Sequence, residues 1–158
     1  MFRVGFGYDV HELGEGRAFI LGGVTIPYRK GLLGYSDADV LTHAVIDSIL
    51  GALGKGDIGQ HFPDSDPAYK GVNSLLLLKH VVDLAHREKF IVNNLDTTIV
   101  AQKPKLTEYL NDIKIRLSDI LNVDPQAVNV KATTTEGLGF CGREEGLAAY
   151  AVVTLKCI

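Results

Sequence analysis

The sequence holds no tryptophan, one methionine and two cysteines among 158 residues. Cys141 and Cys157 form no spaced framework, so no disulfide scaffold is expected and a reducing, cytoplasmic setting is the default. No apolar stretch approaches the roughly 20 residues of a membrane span. The densest run, Val72 to Leu78, is interrupted by Asn73 and Ser74 and ended by Lys79. Positive charge is also short. Sixteen Lys and Arg stand against 19 Asp and Glu, for a net charge of −3, and no basic run occurs. Nucleic acid and membranes are therefore not expected partners. The N-terminus enters a strand-like run at once, without a charged n-region and apolar h-region, so no signal peptide is expected. A nucleophile elbow of the Gly-x-Ser-x-Gly type, a P-loop and a dinucleotide fingerprint are all missing. An enzyme with this sequence would have to work by metal ions and positioning.

What is present is ordinary globular composition, 46% apolar and 22% charged, at a length that suits one domain over residues 1–158. Phe2 to Phe6 alternates as a strand. Ala18–Leu21 and Val24–Pro27 flank Gly22-Gly23 and read as a hairpin, followed by a loop from Tyr28 to Tyr35. Ser36 with Asp39 three residues on reads as the N-terminus of a helix that ends near Gly51 and Gly54. Residues 57–67 are too rich in Gly, Pro and Asp for regular structure. Asn73 caps a second helix through about Lys89, and Asn94 to Gln102 reads as a strand. Thr107 to Leu121 is an amphipathic helix, Val128 to Thr133 a strand, Thr134 to Gly146 a glycine-rich loop and Leu147 to Lys156 a closing strand antiparallel to the one before. The expected class is α+β: a four-stranded mixed sheet packed on one side by helices, in β-α-α-β-α-β-β order, plus the short hairpin.

Asp9-Val10-His11 carries the first chemical signal. Side chains two apart on a strand share a face, so a carboxylate and an imidazole project together. His43, inside the first helix, is the candidate third ligand, with Asp39 and Asp47 each four residues away to orient its ring. Three ligands leave a tetrahedral position open, as in a catalytic zinc site. The plain alternative is equally open on spacing alone: polar groups at a strand end and a hydrogen-bonded helix histidine. Two histidines and a carboxylate also describe a non-haem iron oxygenase. A second candidate is Lys131-Ala132-Thr133-Thr134-Thr135-Glu136, where hydroxyls and backbone N–H groups can hold phosphate and a Glu can share Mg²⁺ with it. The plain alternative is a threonine-rich strand end. Ala101 to Thr107, with Lys103 and Lys105, is a similar strand-to-helix junction.

In this order these stretches resemble the 2-C-methyl-D-erythritol 2,4-cyclodiphosphate synthase family nearly end to end. The resemblance rests on Gly7-Tyr8-Asp9-Val10-His11, Leu21-Gly22-Gly23-Val24, Ser36-Asp37-Ala38-Asp39-Val40 with His43, Gly56-Asp57-Ile58-Gly59, Phe62-Pro63-Asp64, Ala101-Gln102 with Pro104-Lys105, Val128 to Glu136, and Gly139-Phe140-Cys141-Gly142-Arg143. It implies that CMP is expelled from a cytidine diphosphate substrate as its own 2-phosphate attacks the β-phosphorus, in the non-mevalonate route to isoprenoids. It implies Zn²⁺ on Asp9, His11 and His43, and a second cation, Mg²⁺ or Mn²⁺, on Glu136. Asp57 and Gly59 would meet the ribose. Ala101, Lys105, Leu106, Thr107, Ala132, Thr133 and Thr134 would hold cytosine and phosphates, and the loop with Phe62, Asp64 and Asp66 would close over the methylerythritol. Tyr35, Ser36 and Thr134 would stand at the reacting phosphates. The family's homotrimer would share each site between subunits. Tyr8, Phe140 and Arg143 would lie near a central cavity able to hold an isoprenoid diphosphate. Many relatives have His-Ser-Asp-Gly-Asp where this chain has Tyr35-Ser36-Asp37-Ala38-Asp39, so the imidazole is missing at Tyr35. Helix-start N–H groups with Ser36 are expected to serve instead, and Ala38 to be an ordinary helical position.

Overall fold

Alternation decides the first element. In the computed structural model, which describes residues 1–158, strand β1 runs from Phe2 to Gly14. Its odd-numbered side, with Gly5, Gly7 and Leu13 buried and Asp9 and His11 half-buried, faces the helices. Its even-numbered side presents Phe2, Val4, Phe6, Tyr8 and Val10 on the opposite face, where all five are exposed. β2 (Phe19–Leu21) and β3 (Val24–Ile26) form the hairpin, with φ of +56° at Gly22 and +74° at Gly23. Both central residues of a primed two-residue turn need that left-handed region.

The main sheet has five strands, not four. The added one is β4 (Gly31–Leu33), paired antiparallel with the far end of β1, Glu12 to Gly14. Three residues carry no readable period, and β4 exists because β1 runs long enough to pair with it. Beyond it come β5 (Phe90–Val100), β6 (Val128–Thr133) and β7 (Gly146–Cys157), giving the order β4-β1-β7-β5-β6. β7 is antiparallel to both β1 and β5, and β5 is parallel to β6. The last two strands are thus antiparallel in direction, as expected, but β5 lies between them.

Helices α1 (Val40–Leu53), α3 (Ser74–Arg87) and α4 (Leu110–Leu121) cover the inner face. α1 is buried on every side except at Asp47 and Gly51. Val40, Leu41, Val45, Ile46, Ile49 and Leu50 are wholly inaccessible, each worth about 1.5–3 kcal/mol in removal from water. The helix lies directly on β1: a Cβ at Gly5 would fall 1.8 Å from the Ser48 carbonyl oxygen, and one at Gly7 1.9 Å from that of Ala44. Those two glycines set the depth of α1.

Helix ends differ from expectation in three places. α1 is capped by Asp39 rather than Ser36. Ala38 is no helical residue, since its φ is +58°, a conformation that costs an L-residue about 1–2 kcal/mol. α4 starts at Leu110, because residues 107–109 form a turn without a side-chain cap. Asn73 and Gly54 cap as expected. Single helical turns α2 (Ile58–His61) and α5 (Gly139–Gly142) lie in segments read as loop, and a 3₁₀ turn follows at Pro67–Tyr69. No helix is long and apolar enough to cross a membrane.

Candidate metal centre and nucleotide cavity

Three side chains from two elements converge where α1 crosses the end of β1. Asp9 Oδ2 lies 3.0 Å from His11 Nε2 and 3.0 Å from His43 Nδ1, and the two ring nitrogens are 3.1 Å apart. Ligands of a tetrahedral ion at 2.0–2.1 Å would stand about 3.3 Å from one another. The observed triangle is close to that. The closeness of helix and strand at Gly7 is what lets His43 reach a carboxylate 34 residues earlier.

The hydrogen-bond pattern fixes which nitrogens are free. His11 Nδ1 donates to the Leu33 carbonyl oxygen at 2.8 Å. A carbonyl can only accept, so Nδ1 carries the proton and Nε2 is left bare. His43 Nε2 faces two hydroxyls, Ser74 Oγ at 2.8 Å and Ser36 Oγ at 3.1 Å. With that nitrogen protonated, Nδ1 is bare as well. Two lone pairs and a carboxylate oxygen then point at one spot, an arrangement that calls for a cation at its centre. The titration of the cluster agrees. Burial would raise the Asp9 carboxyl, but hydrogen bonds from His11 and His43 bring it down to about 2. Burial opposes charge on His11, yet its bond to Asp9 and that carboxylate's charge hold its pKa above the ordinary value. The donor set of two imidazoles and a carboxylate fits Zn²⁺.

The carboxylates expected to orient His43 do other work. Asp39 is fully buried and accepts from Gly22 N (2.9 Å), Gly23 N (2.8 Å), Thr42 N (3.0 Å) and Thr42 Oγ1 (2.8 Å). It pins the β2–β3 hairpin to the start of α1. Burial pushes its carboxyl up, against the pull of those donors. Asp47 accepts from Ile58 N at 2.8 Å. Three N–H groups ahead of α1 are already taken: Asp37 N donates to the Val72 carbonyl, Ala38 N to Ser36 Oγ and Asp39 N to Asp37 Oδ1.

Asp9, His11, Tyr35, Ser36, His43, Phe62 and Asp64 line one cavity of about 230 Å³, joined by Gly34, Ile58, Tyr69 and Leu77. Sequence reasoning missed the last four, which come from four separate segments with no shared pattern. The Tyr35 hydroxyl donates to the Asp66 carbonyl at 3.1 Å and ties the 62–66 loop to the cavity wall. Asp57, Gly59 and the Asp66 side chain are not in that wall. Asp57 caps α2, and the Asp66 carboxylate accepts from Ala68 N. Ala101, Lys105, Leu106, Thr107, Ala132, Thr133 and Thr134 line a second cavity of about 350 Å³ with Gln102 and Pro104. It sits at the parallel ends of β5 and β6, two and three strands away from β1, and shares no residue with the first. Glu136 lines neither cavity and belongs to no ligand cluster. Phe140 lines a third, smaller cavity with Tyr8 and Tyr150, and Arg143 pairs with Glu145.

Comparison with known proteins identifies the family and agrees with the fold. The YgbB family model matches residues 2–156. The 2-C-methyl-D-erythritol 2,4-cyclodiphosphate synthase of Geotalea uraniireducens (strain Rf4) is 59% identical over 154 residues, covering 98% of both chains. That of Bacillus subtilis (strain 168) is 55% identical, covering 99% of both. Among solved structures, the bifunctional IspDF of Campylobacter jejuni matches with a TM-score of 0.96 and 44% identity, over 100% of this chain and 43% of its own. A CDP-bound 2C-methyl-D-erythritol-2,4-cyclodiphosphate synthase matches with a TM-score of 0.90 and 33% identity, over 98% of this chain and 100% of its own. The chain therefore belongs to the YgbB family, the family of the 2-C-methyl-D-erythritol 2,4-cyclodiphosphate synthases.

Proposed function

We propose that this chain carries out the cyclisation for which its family is named, in the cytoplasm, on the non-mevalonate route to isoprenoid precursors. The substrate is 4-diphosphocytidyl-2-C-methyl-D-erythritol 2-phosphate. An oxygen of its 2-phosphate forms a bond to the β-phosphorus, the bond from that phosphorus to the oxygen bridging it to the α-phosphorus breaks, and CMP leaves with that oxygen. The reaction is a phosphorus–oxygen lyase step. The observation that carries this reading is the convergence of Asp9, His11 and His43 on one spot in the wall of a cavity that also holds Ser36.

In this reading Asp9, His11 and His43 would hold Zn²⁺, and Glu136 would be the protein's ligand to a second cation, Mg²⁺ or Mn²⁺. A lone carboxylate suits Mg²⁺ when substrate phosphates complete its shell. Bound divalent cations supply Lewis-acid polarisation of the phosphoryl oxygens and relieve repulsion between anionic groups, worth several kcal/mol. The protein's own task is positioning. No general base is needed, because a phosphate monoester with a second pKa near 6 is already largely dianionic. Holding nucleophile and electrophile in line is worth an effective molarity of order 10⁵–10⁸ M. Ser36 Oγ and Thr134 Oγ1 are the hydroxyls offered to the phosphates. Tyr35 holds the loop of Phe62, Asp64 and Asp66 over the methylerythritol. Ala101, Lys105, Leu106, Thr107, Ala132 and Thr133 hold the cytidine and its phosphates, with Asp57 and Gly59 at the ribose.

The two cavities lie apart on one chain, which supports a site completed by a second copy. The outer sheet face supports association too: Phe2 is 67%, Val4 68% and Phe6 60% exposed. A homotrimer would cover that face and bring the cytidine cavity of one chain to the metal ligands of the next. Tyr8, Phe140 and Arg143 would then border a central space suited to an isoprenoid diphosphate. The test is ³¹P NMR of protein, substrate, Zn²⁺ and Mg²⁺. CMP and the cyclic diphosphate should appear together, and their absence would overturn the reading. His43→Ala should cut turnover by about 10³-fold or more, the scale of a lost Lewis acid, while the protein still assembles.

A further inference from the structure

The far side of the His43 ring is more elaborate than that of His11. His11 leans on one backbone carbonyl, whereas His43 Nε2 lies 2.8 Å from the hydroxyl of Ser74, the first residue of α3. Ser74 is fully buried. Its hydroxyl donates to Asp37 Oδ1, and its backbone N–H donates to Asp37 Oδ2 at 3.0 Å. With its own proton committed to the carboxylate, Ser74 Oγ can only accept from the imidazole. Ser36 Oγ, at 3.1 Å, is the weaker partner and already accepts from Ala38 N.

From this chain of contacts we infer that Ser74 and Asp37 are positioning residues for the metal: Asp37 orients the Ser74 hydroxyl, which holds the proton on His43 Nε2 and so keeps Nδ1 bare and aimed at the ion. The inference rests on the reading that His43 is a metal ligand. The relay spans three separate segments, the turn before α1, α1 itself and the start of α3. It makes the α1–α3 packing part of the metal centre. It also explains why a serine is buried at the first position of α3, where the cap is already supplied by Asn73. Removing such an outer partner costs about 10–100-fold in metal affinity.

The test is zinc affinity, measured by competition with a chromogenic chelator on the full-length protein, alongside the melting temperature of each metal-free variant. Wild type should bind one zinc per chain. Ser74→Ala should bind it about 10–100-fold more weakly, and Asp37→Asn more weakly by a smaller factor. In the Ser74→Ala background, Asp37→Asn should cost no further affinity, because the carboxylate acts through the hydroxyl. A merely structural role would instead lower the melting temperature and leave zinc affinity in place. Wild-type affinity in Ser74→Ala, or losses that add in full in the double variant, would overturn the relay while the metal site stands. No zinc binding by the wild type would overturn the metal reading and the relay with it.

Discussion

His11 carries two constraints at once. Its Nδ1 proton is spent on the Leu33 carbonyl, and its Nε2 shares Asp9 with His43. The raised pKa of His11 and the lowered pKa of Asp9 give opposite pH limits to the metal-free cluster. The Asp9 contribution to stability is present above its unfolded value of about 3.9 and is lost as pH falls through about 2. The His11 contribution is full below its unfolded value of about 6.5 and is lost as pH rises through the raised folded value. Zinc bound there would displace the proton from Nε2 wherever His11 is protonated, so its affinity should climb roughly tenfold per pH unit in that range. Chelator competition between pH 5.5 and 7.5 checks this, and a flat profile would mean the imidazole is not displacing a proton. Asp39 makes a separate prediction. Asp39→Ala strips the acceptor from three backbone N–H groups and should destabilise the fold by about 2–4 kcal/mol in urea unfolding. An effect below about 0.5 kcal/mol, the range of an ordinary surface change, would mean that the hairpin is held by something else.

At the scale of elements, the site depends on how deeply α1 sits on β1. Gly7→Ala would put a methyl where the Ala44 carbonyl oxygen lies. The helix must lift, at about 3 kcal/mol, the upper end of overpacking costs. His43 lifts with it, so zinc affinity should fall even under conditions where the variant is fully folded. Unchanged affinity would show that the ligands adjust independently of the helix. The same elements show what the sequence could and could not disclose. β1, α1, α3, β5, β6 and β7 were readable because each has a period or a cap of its own. The pairing of Asp9 with His11 was readable because strand geometry is local. β4 was not, since Gly31-Leu32-Leu33 becomes a strand only against Glu12 to Gly14. The caps misled at Ser36: an acid three residues on imitates a capping box, while the helix starts after that acid, with Ala38 in a left-handed turn before it. Ser74 and Asp37 were invisible for a related reason. They are 37 residues apart and meet only through tertiary packing. Of the positions carried over from the family, Tyr8, Asp57, Gly59, Asp66, Glu136, Phe140 and Arg143 line neither of the two larger cavities, and nothing in a linear pattern says that the walls lined by the others stand apart.

For the whole molecule, the separation of the cavities makes a quantitative prediction. If each site takes its metal from one chain and its cytidine cavity from the next, two kinds of dead subunit can rescue each other. Mixing His43→Ala with Lys105→Glu, dissociated and reassembled at equal amounts, should restore about a quarter of wild-type activity, because one in four random neighbour pairs in a cyclic trimer joins two intact halves. No recovery would place both halves in the same chain. Phe6→Glu puts a charge into the exposed apolar face of β1. If that face is the trimer interface, the variant should be monomeric by light scattering, bind zinc and turn over no substrate. The sheet's two margins add a consequence of another kind. One margin is a three-residue strand. The other is β6, whose exposed Asn129 and Lys131 are hydrogen-bonded to Asp96 on the neighbouring strand. Short and charged edges of this sort are poor templates for adding strands. In the proposed trimer, a subunit that lost its partners would bare a sticky broad side while its rims stayed sealed, and its failure on storage or dilution should be amorphous clumping that scatters light without binding amyloid dyes.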